Sequence, residues 1–286
     1  LNTGHDPYPD LQIAAAMKLC RLLVHQYNVP RRDFVRHLDI APGRKTDPAG
    51  FPWTDFGNGV YHQLPQAGDG DDVPILGGNT ATAAQALAYI SAHRQRDHQN
   101  GYDRDDVASI ATLYETVCAS VGVDMAVAVA QMIHETGFLT SFWSARPQRN
   151  PAGIGVTGVS SRKRPPDSEE HWAYNVQRNQ WEQGLSFPSW AMHSIRAHVG
   201  RLLAYALTAE QAAFDASTAS GLPLTIRDMA VQRQRLILFA LAYRPLPDRY
   251  RGIATTVADL TGTWATDPQY GAKVTRHIAA LRTHES

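Results

Sequence analysis

Between Asp124 and Gly137 the chain runs through Met125, Ala128, Val129, Met132 and Ile133 with almost no polar face, then presents one carboxylate, Glu135. A helix that is apolar nearly all round must be enclosed by other elements. This stretch therefore dictates a fold with a central, buried helix, capped at its start by Asp124. A carboxyl group half buried at the end of such a helix is poorly solvated as an anion, which raises its pKa. That is the property required of a general acid that protonates a leaving glycosidic oxygen. The plainer reading, a helix-terminal glutamate bonded only to the following loop, stands beside it. Farther on comes Asn150-Pro151-Ala152-Gly153-Ile154-Gly155, whose glycines let the backbone pass close to a sugar or to the helix without a Cβ in the way.

Around this centre the 286 residues fall into three zones. Residues 1–60 open with an amphipathic helix, in which Ile13, Met17, Cys20, Val24 and Tyr27 recur at helical spacing up to Asn28-Val29-Pro30. From 31 to 60 they read as a proline-rich loop without periodicity. Residues 61–74 hold Gly68-Asp69-Gly70-Asp71-Asp72 and read as a flexible linker. Residues 75–286 are mostly helical. Val107, Ile110, Tyr114, Val117 and Val121 form one stripe behind a cap at Asp103 or Asp105. Further helices are expected at roughly 193–207, 225–243 and 252–262, and a last one puts Tyr270, Val274, Ile278 and Leu281 on one face. Residues 150–191 interrupt this with glycines, prolines and aromatics and suggest a hairpin or irregular lobe. The fold class is mainly α with α+β character: a helical core with a small extended β lobe.

The formal net charge is zero, so nothing global points to nucleic acid or a membrane surface. No apolar run approaches the roughly 18 residues needed to span a bilayer. Cys20 and Cys118 sit in helical apolar patterns far apart and read as buried free thiols. The chain begins at Leu1 without methionine or signal-like segment and is expected to be a piece of a longer protein.

Three ordered blocks carry a resemblance. They are His134-Glu135-Thr136-Gly137; then Asn150 to Gly155 with Phe187-Pro188-Ser189-Trp190 leading into Arg196-Ala197-His198; and Gly262-Thr263-Trp264-Ala265-Thr266-Asp267-Pro268-Gln269-Tyr270. Over about 75–286 the chain resembles the glucosaminidase family of peptidoglycan hydrolases, the endo-β-N-acetylglucosaminidases of bacterial autolysins and phage lysins. The resemblance implies a lysozyme-like core, peptidoglycan glycan strands as the partner, and cleavage of the β-1,4 bond on the reducing side of N-acetylglucosamine. It implies Glu135 as catalytic acid and Tyr270 as a site tyrosine, with Asn150, Gly153, Phe187 and Trp190 expected to bind substrate. Trp172 and Trp181 are candidate stacking platforms or packing residues, and His134 points away from Glu135 around the helix. A second carboxylate remains open among Asp167, Glu169, Glu170 and Glu182, unless the substrate's 2-acetamido group takes its place. Lytic transglycosylase chemistry on the same core, or a wall-binding module without catalysis, are the alternatives. The expected protein is a monomer, secreted, bound to the cell wall or released at lysis, with no cofactor in this region.

The first sixty residues resemble the C-terminal end of a zinc-dependent N-acetylmuramoyl-L-alanine amidase. Pro9-Asp10-Leu11-Gln12-Ile13 matches the start of that family's last long helix, and Arg36-His37 and Lys45-Thr46-Asp47-Pro48 its late site residues. The resemblance implies His37 and Asp47 as zinc ligands and Lys45 near a bound water. A catalytic zinc needs three protein ligands. The sheet carrying the first is absent, so this metal set is expected to be incomplete, with zinc belonging only to a complete amidase domain.

Overall fold

The protein is described by a computed structural model covering residues 8–26, 29, 33–41, 44, 51–61, 73–94, 99–166, 171–218 and 224–284. It divides into two units, Leu1–Gly70 and Asp71–Ser286. The linker's glycine–aspartate run, and with it Lys45, Asp47, Asp167, Glu169 and Glu170, lies outside the described residues.

In the first unit α1 (Asp10–Gln26) packs on α3 (Trp53–Tyr61), with the short α2 (His37–Ile40) between them in sequence. Val24, Phe56 and Val60 form the buried centre, and Ile13, Met17, Cys20, Phe34 and Phe51 pack around it. Cys20 is half-buried rather than fully buried, and it is unbonded. Arg21 Nε donates to the Gly59 carbonyl at 2.7 Å. The expectation of a featureless loop over 31–60 is corrected by α2 and α3. Trp53, Phe56 and Val60 do follow helical spacing, but two glycines and a proximal proline mask so short a run.

The second unit is built around α6 (Met125–Thr136), whose residues from Met125 to Ile133 are all buried. Enclosing it are α5 (Arg104–Val121), α7 (Ile195–Ala206) and α10 (Tyr270–Thr283). Asp103 caps α5 by accepting from the Asp106 N–H, and Gly122 ends it in the left-handed region. The buried Asp124 carboxylate accepts from Ala126 N–H, Thr80 N–H and Arg282, so one side chain starts α6 and ties it to the end of α10. On the outside lie α4 (Ala83–His93), α8 (Ala209–Thr218) and α9 (Leu224–Tyr243). The α7–α9 crossing is close because residue 200 is glycine: a Cβ there would come within 2.1 Å of the Leu236 carbonyl oxygen.

Two details differ from expectation. Residues 252–262 are turns around a short 3₁₀ segment, Ala258–Leu260, not a helix. The Asp259 carboxylate accepts from the N–H groups of Thr255 and Thr256 and from the Thr256 hydroxyl, offering that backbone a local alternative to helical bonds. Val73 and Pro74, read as the linker's end, already pair with the second unit: the Val73 carbonyl accepts from Val257 N–H. The extended lobe is a small antiparallel sheet of β1 (Ser160–Ser161), β2 (Trp172–Asn175) and β3 (Gln180–Gln183), with β3 central. Among the described residues, no helix is long and apolar enough to cross a membrane.

Candidate active site

Glu135 sits in the last turn of α6, four residues after Gln131, so both side chains project from one face toward α10. Tyr270 is the first residue of α10 and is almost wholly buried. The turn before it is fixed by Asp267, which accepts from Gln269 N–H and pairs with Lys273. The Tyr270 hydroxyl donates to Glu135 Oε1 at 2.7 Å and accepts from Gln131 Nε2 at 2.8 Å.

The line continues inward. Gln131 Oε1 can only accept, so His198 Nε2, 2.8 Å away, carries the proton and donates it. His198 Nδ1 then accepts from the Tyr114 hydroxyl at 2.8 Å. Every bond in the series points toward the Glu135 carboxylate. Burial lowers the His198 pKa to about 3, which keeps the ring neutral and the tautomer fixed. Tyr114, Gln131 and His198 are fully buried, and orphaning one such group costs roughly 1–3 kcal/mol.

Glu135 Oε2 faces the other way. A Cβ at Gly153 would sit 3.4 Å from it, and Gly153 itself has a φ of +60°. The Trp264 indole N–H faces the same carboxyl group and, with Tyr270, favours its anion. Burial outweighs both and raises the Glu135 pKa. The result is a carboxyl group braced by Tyr270 on Oε1, with Gly153 beside Oε2, and biased toward the protonated form. Beyond Thr136, Gly137, Phe138 and Leu139 all have positive φ, and for the two non-glycine residues this is strain stored beside the site.

The loop that brings Gly153 to this position is pinned by Asn150. Its Nδ2 donates to the carbonyls of Ile154 and Leu185, and its Oδ1 accepts from the N–H groups of Ala152 and Ile154. The side chain is fully buried, which corrects the expectation that it contacts sugar: its polar atoms are spent on the loop. Phe187 and Trp190 are corrected likewise. Phe187 is core, packed with Ala152, Ile154, Leu185 and Tyr243. Trp190 is buried, and its indole N–H donates to the Tyr102 hydroxyl at 2.9 Å. Trp181 lies half-exposed on β3 against Tyr174, with the Arg164 guanidinium 5.7 Å from its ring; Trp172 is half-buried on β2. His134 packs edge-to-face on Tyr270. Of the second-carboxylate candidates Glu182 is described: it is buried on β3 and accepts from Asn175 and Arg178, both at 3.1 Å.

Gln131, His198, Tyr114 and Trp264 complete the site; His198 and Trp264 stand in the blocks quoted above and Tyr114 in the α5 stripe, but the sequence assigns none of them a role. Gln131 carried a signal, since a polar side chain in an otherwise apolar run must find a buried partner. In the first unit His37 is exposed on α2, and among the described residues no three His, Cys, Asp or Glu side chains gather closely enough to hold a metal.

The N-acetylmuramoyl-L-alanine amidase family model matches residues 1–50. No curated protein sequence matches the chain. The crystal structure of the catalytic domain of the autolysin Auto from Listeria monocytogenes is similar at 16% identity and a TM-score of 0.34, covering 69% of this chain and 93% of that one. The glucosaminidase family model, described as mannosyl-glycoprotein endo-beta-N-acetylglucosaminidase, matches residues 111–283, more than half of the chain and all of the site just described. The chain belongs to the glucosaminidase family of glycoside hydrolases.

Proposed function

We propose that the protein is a peptidoglycan hydrolase that cleaves the β-1,4 bond on the reducing side of N-acetylglucosamine, with Glu135 as general acid. One observation carries the assignment: a largely buried carboxyl group whose pKa is raised, braced by Tyr270 on Oε1 and flanked by the Cβ-free Gly153 at Oε2. The partial amidase match directs the reading to bacterial cell wall, because that activity's substrate is peptidoglycan. The site of action would then be the wall, outside the cytoplasm.

In this mechanism neutral Glu135 delivers the Oε2 proton to the glycosidic oxygen as the bond to the anomeric carbon breaks. The Glu135 anion left behind is held by the Tyr270 hydroxyl and the Trp264 indole, which supply stabilisation as charge develops. Tyr270 thus acts on the acid. The positive charge at the anomeric carbon is met by the substrate's 2-acetamido oxygen or by a carboxylate of the sheet lobe, Glu182 being the described candidate; water then adds to that carbon and returns a proton to Glu135, which completes the hydrolysis. No step calls for a metal.

The test is mass spectrometry of purified cell walls digested by the protein and by Glu135→Gln. Reducing-end N-acetylglucosamine that vanishes in the variant supports the reading. An anhydro sugar would make the enzyme a lytic transglycosylase, and no cleavage a wall-binding module. Loss of activity on adding a chelator would refute the metal-free step.

A further inference from the structure

Gly153 and Trp264, which flank the Glu135 carboxyl, also line a cavity of about 270 Å³ that the mechanism above does not use. Arg201, Arg244, Tyr205 and Tyr250 line it together with those two residues. Arg201 comes from α7 and is only 8% exposed. Its Nη1 donates to the Arg244 carbonyl at 3.1 Å, and its guanidinium lies 5.7 Å from the Tyr205 ring and 5.8 Å from the Trp264 ring. Among the described residues no carboxylate pairs with Arg201 or with the exposed Arg244, and none lines the cavity.

This is an unusual way to bury a charge. Desolvating a guanidinium costs several kcal/mol, and proteins ordinarily offset that with an acid. Here one carbonyl, the Tyr205 hydroxyl and two aromatic faces give partial relief, while Arg244 adds like charge at the rim. A guanidinium offers five N–H donors in a flat fork matched to a carboxylate; here one goes to the Arg244 carbonyl and one to the Tyr205 hydroxyl, and the fork faces no acid.

We propose that this cavity is an anion subsite that takes the lactyl carboxylate of an N-acetylmuramic acid residue seated beside the bond Glu135 cleaves. The inference rests on the peptidoglycan reading above. The lactyl group is an ether substituent on the sugar ring itself. It therefore stays within one sugar unit of the scissile bond, as a cavity sharing Gly153 and Trp264 with the acid demands. Carboxylates of the stem peptide lie farther out along a flexible chain.

In intact peptidoglycan the lactyl carboxyl is tied up as an amide. Hydrolysis of that amide adds water and leaves a carboxylate on the sugar and an amine on the peptide. The reaction that supplies this substrate is therefore of the N-acetylmuramoyl-L-alanine amidase class, the class that residues 1–50 match. The glycosidase works on strands already stripped of peptide.

Two measurements on the full chain decide it. The first titrates the protein with N-acetylmuramic acid and with its methyl ester. A charge-assisted bond worth roughly 1.5–3 kcal/mol makes the acid bind at least about tenfold tighter than the ester. Arg244→Gln, an exposed change that leaves the core alone, abolishes that preference; Arg201→Gln does the same if it folds. The second compares kcat/KM on peptide-free strands, the same strands methyl-esterified, and peptide-bearing strands, with the free acid preferred about tenfold on the same grounds. Equal binding of acid and ester, or a preference untouched by Arg244→Gln, overturns the subsite. Faster cleavage of peptide-bearing strands overturns the lactyl assignment in favour of a peptide carboxylate. Selective binding of the acid with no cleavage of any strand leaves the subsite standing and refutes the hydrolase reading.

Discussion

His198 and Glu135 never touch, yet one line of hydrogen bonds joins them: His198 donates to Gln131, Gln131 to Tyr270 and Tyr270 to Glu135, at 2.8, 2.8 and 2.7 Å. A neutral imidazole in one tautomer sets which way the Gln131 amide faces. The amide then leaves the Tyr270 proton nowhere to go but the Glu135 carboxyl. A buried histidine on α7 thereby decides that Oε1 is braced and Oε2 is the oxygen that carries the working proton.

Glu135→Gln should lower wall-cleaving activity about 10²- to 10⁴-fold while the protein still folds. It should also stabilise the protein at neutral pH. Burial holds the folded pKa of Glu135 above its unfolded value, so its protonated form is favoured by folding at low pH. That contribution is lost as pH rises through the unfolded and then the folded pKa. Glutamine is neutral throughout. The melting temperature of the variant relative to wild type should therefore climb with pH across the carboxylate range. A flat difference would mean that Glu135 is not desolvated.

Tyr270→Phe removes a donor that favours the Glu135 anion, so the Glu135 pKa should rise further. The alkaline limb of kcat/KM against pH, which follows loss of the acid's proton, should move to higher pH as turnover falls. Losing one hydroxyl costs folding only about 0.5–1.5 kcal/mol directly, with the Gln131 amide losing its partner as well. An unmoved alkaline limb with an earlier melt would make Tyr270 a packing residue.

The helical frame was legible because it depends on local pattern. Helix α6 announces itself by an unbroken apolar run, and the Tyr270, Val274, Ile278, Leu281 stripe of α10 is buried as its spacing requires. Residues 252–262 misled because Asp259, a side chain, competes for backbone donors that a helix would use. Asn150, Phe187 and Trp190 matched the right blocks but lie beneath the site. Sequence marks that a loop is specified, not which of its residues face the solvent. The Gln131–His198 bond joins residues 67 positions apart, and the cavity around Arg201 draws on α7, the Gly153 loop and the 244–250 turn. Neither has a local signature.

His198 should make the protein acid-sensitive. Its pKa falls from 6.5 in the unfolded chain to about 3 when buried, so the stability it contributes is complete above 6.5 and drains as pH drops toward 3. The loss is about 1.4 kcal/mol per pH unit over that window, added to by His277, whose pKa falls to about 4. In His198→Phe this slope should be shallower, while stability at pH 7 falls by roughly 1–3 kcal/mol for each orphaned partner, Tyr114 and Gln131. Denaturant titrations at pH 5 and pH 7 measure both effects. Equal pH slopes in the two proteins would show that His198 already titrates normally when folded.

Gly153→Ala separates backbone strain from the chemistry of the site. At a φ of +60° any side chain is strained, by about 1 kcal/mol, and here the new methyl would also stand 3.4 Å from Glu135 Oε2. It would occupy the space through which a sugar oxygen must approach that proton. Gly158→Ala is the matched control, with a φ of +78° and nothing within 4 Å of the added carbon. Both variants should lose a similar, small amount of thermal stability. Misplacing a reacting group by about 1 Å can cost on the order of 10²-fold, so kcat/KM should collapse for Gly153→Ala and hold near wild type for Gly158→Ala. Assays of the two variants on the same glycan strands, normalised to folded protein, read this directly. Similar kcat/KM for both would move the approaching substrate away from Oε2 and leave Gly153 as a turn glycine alone.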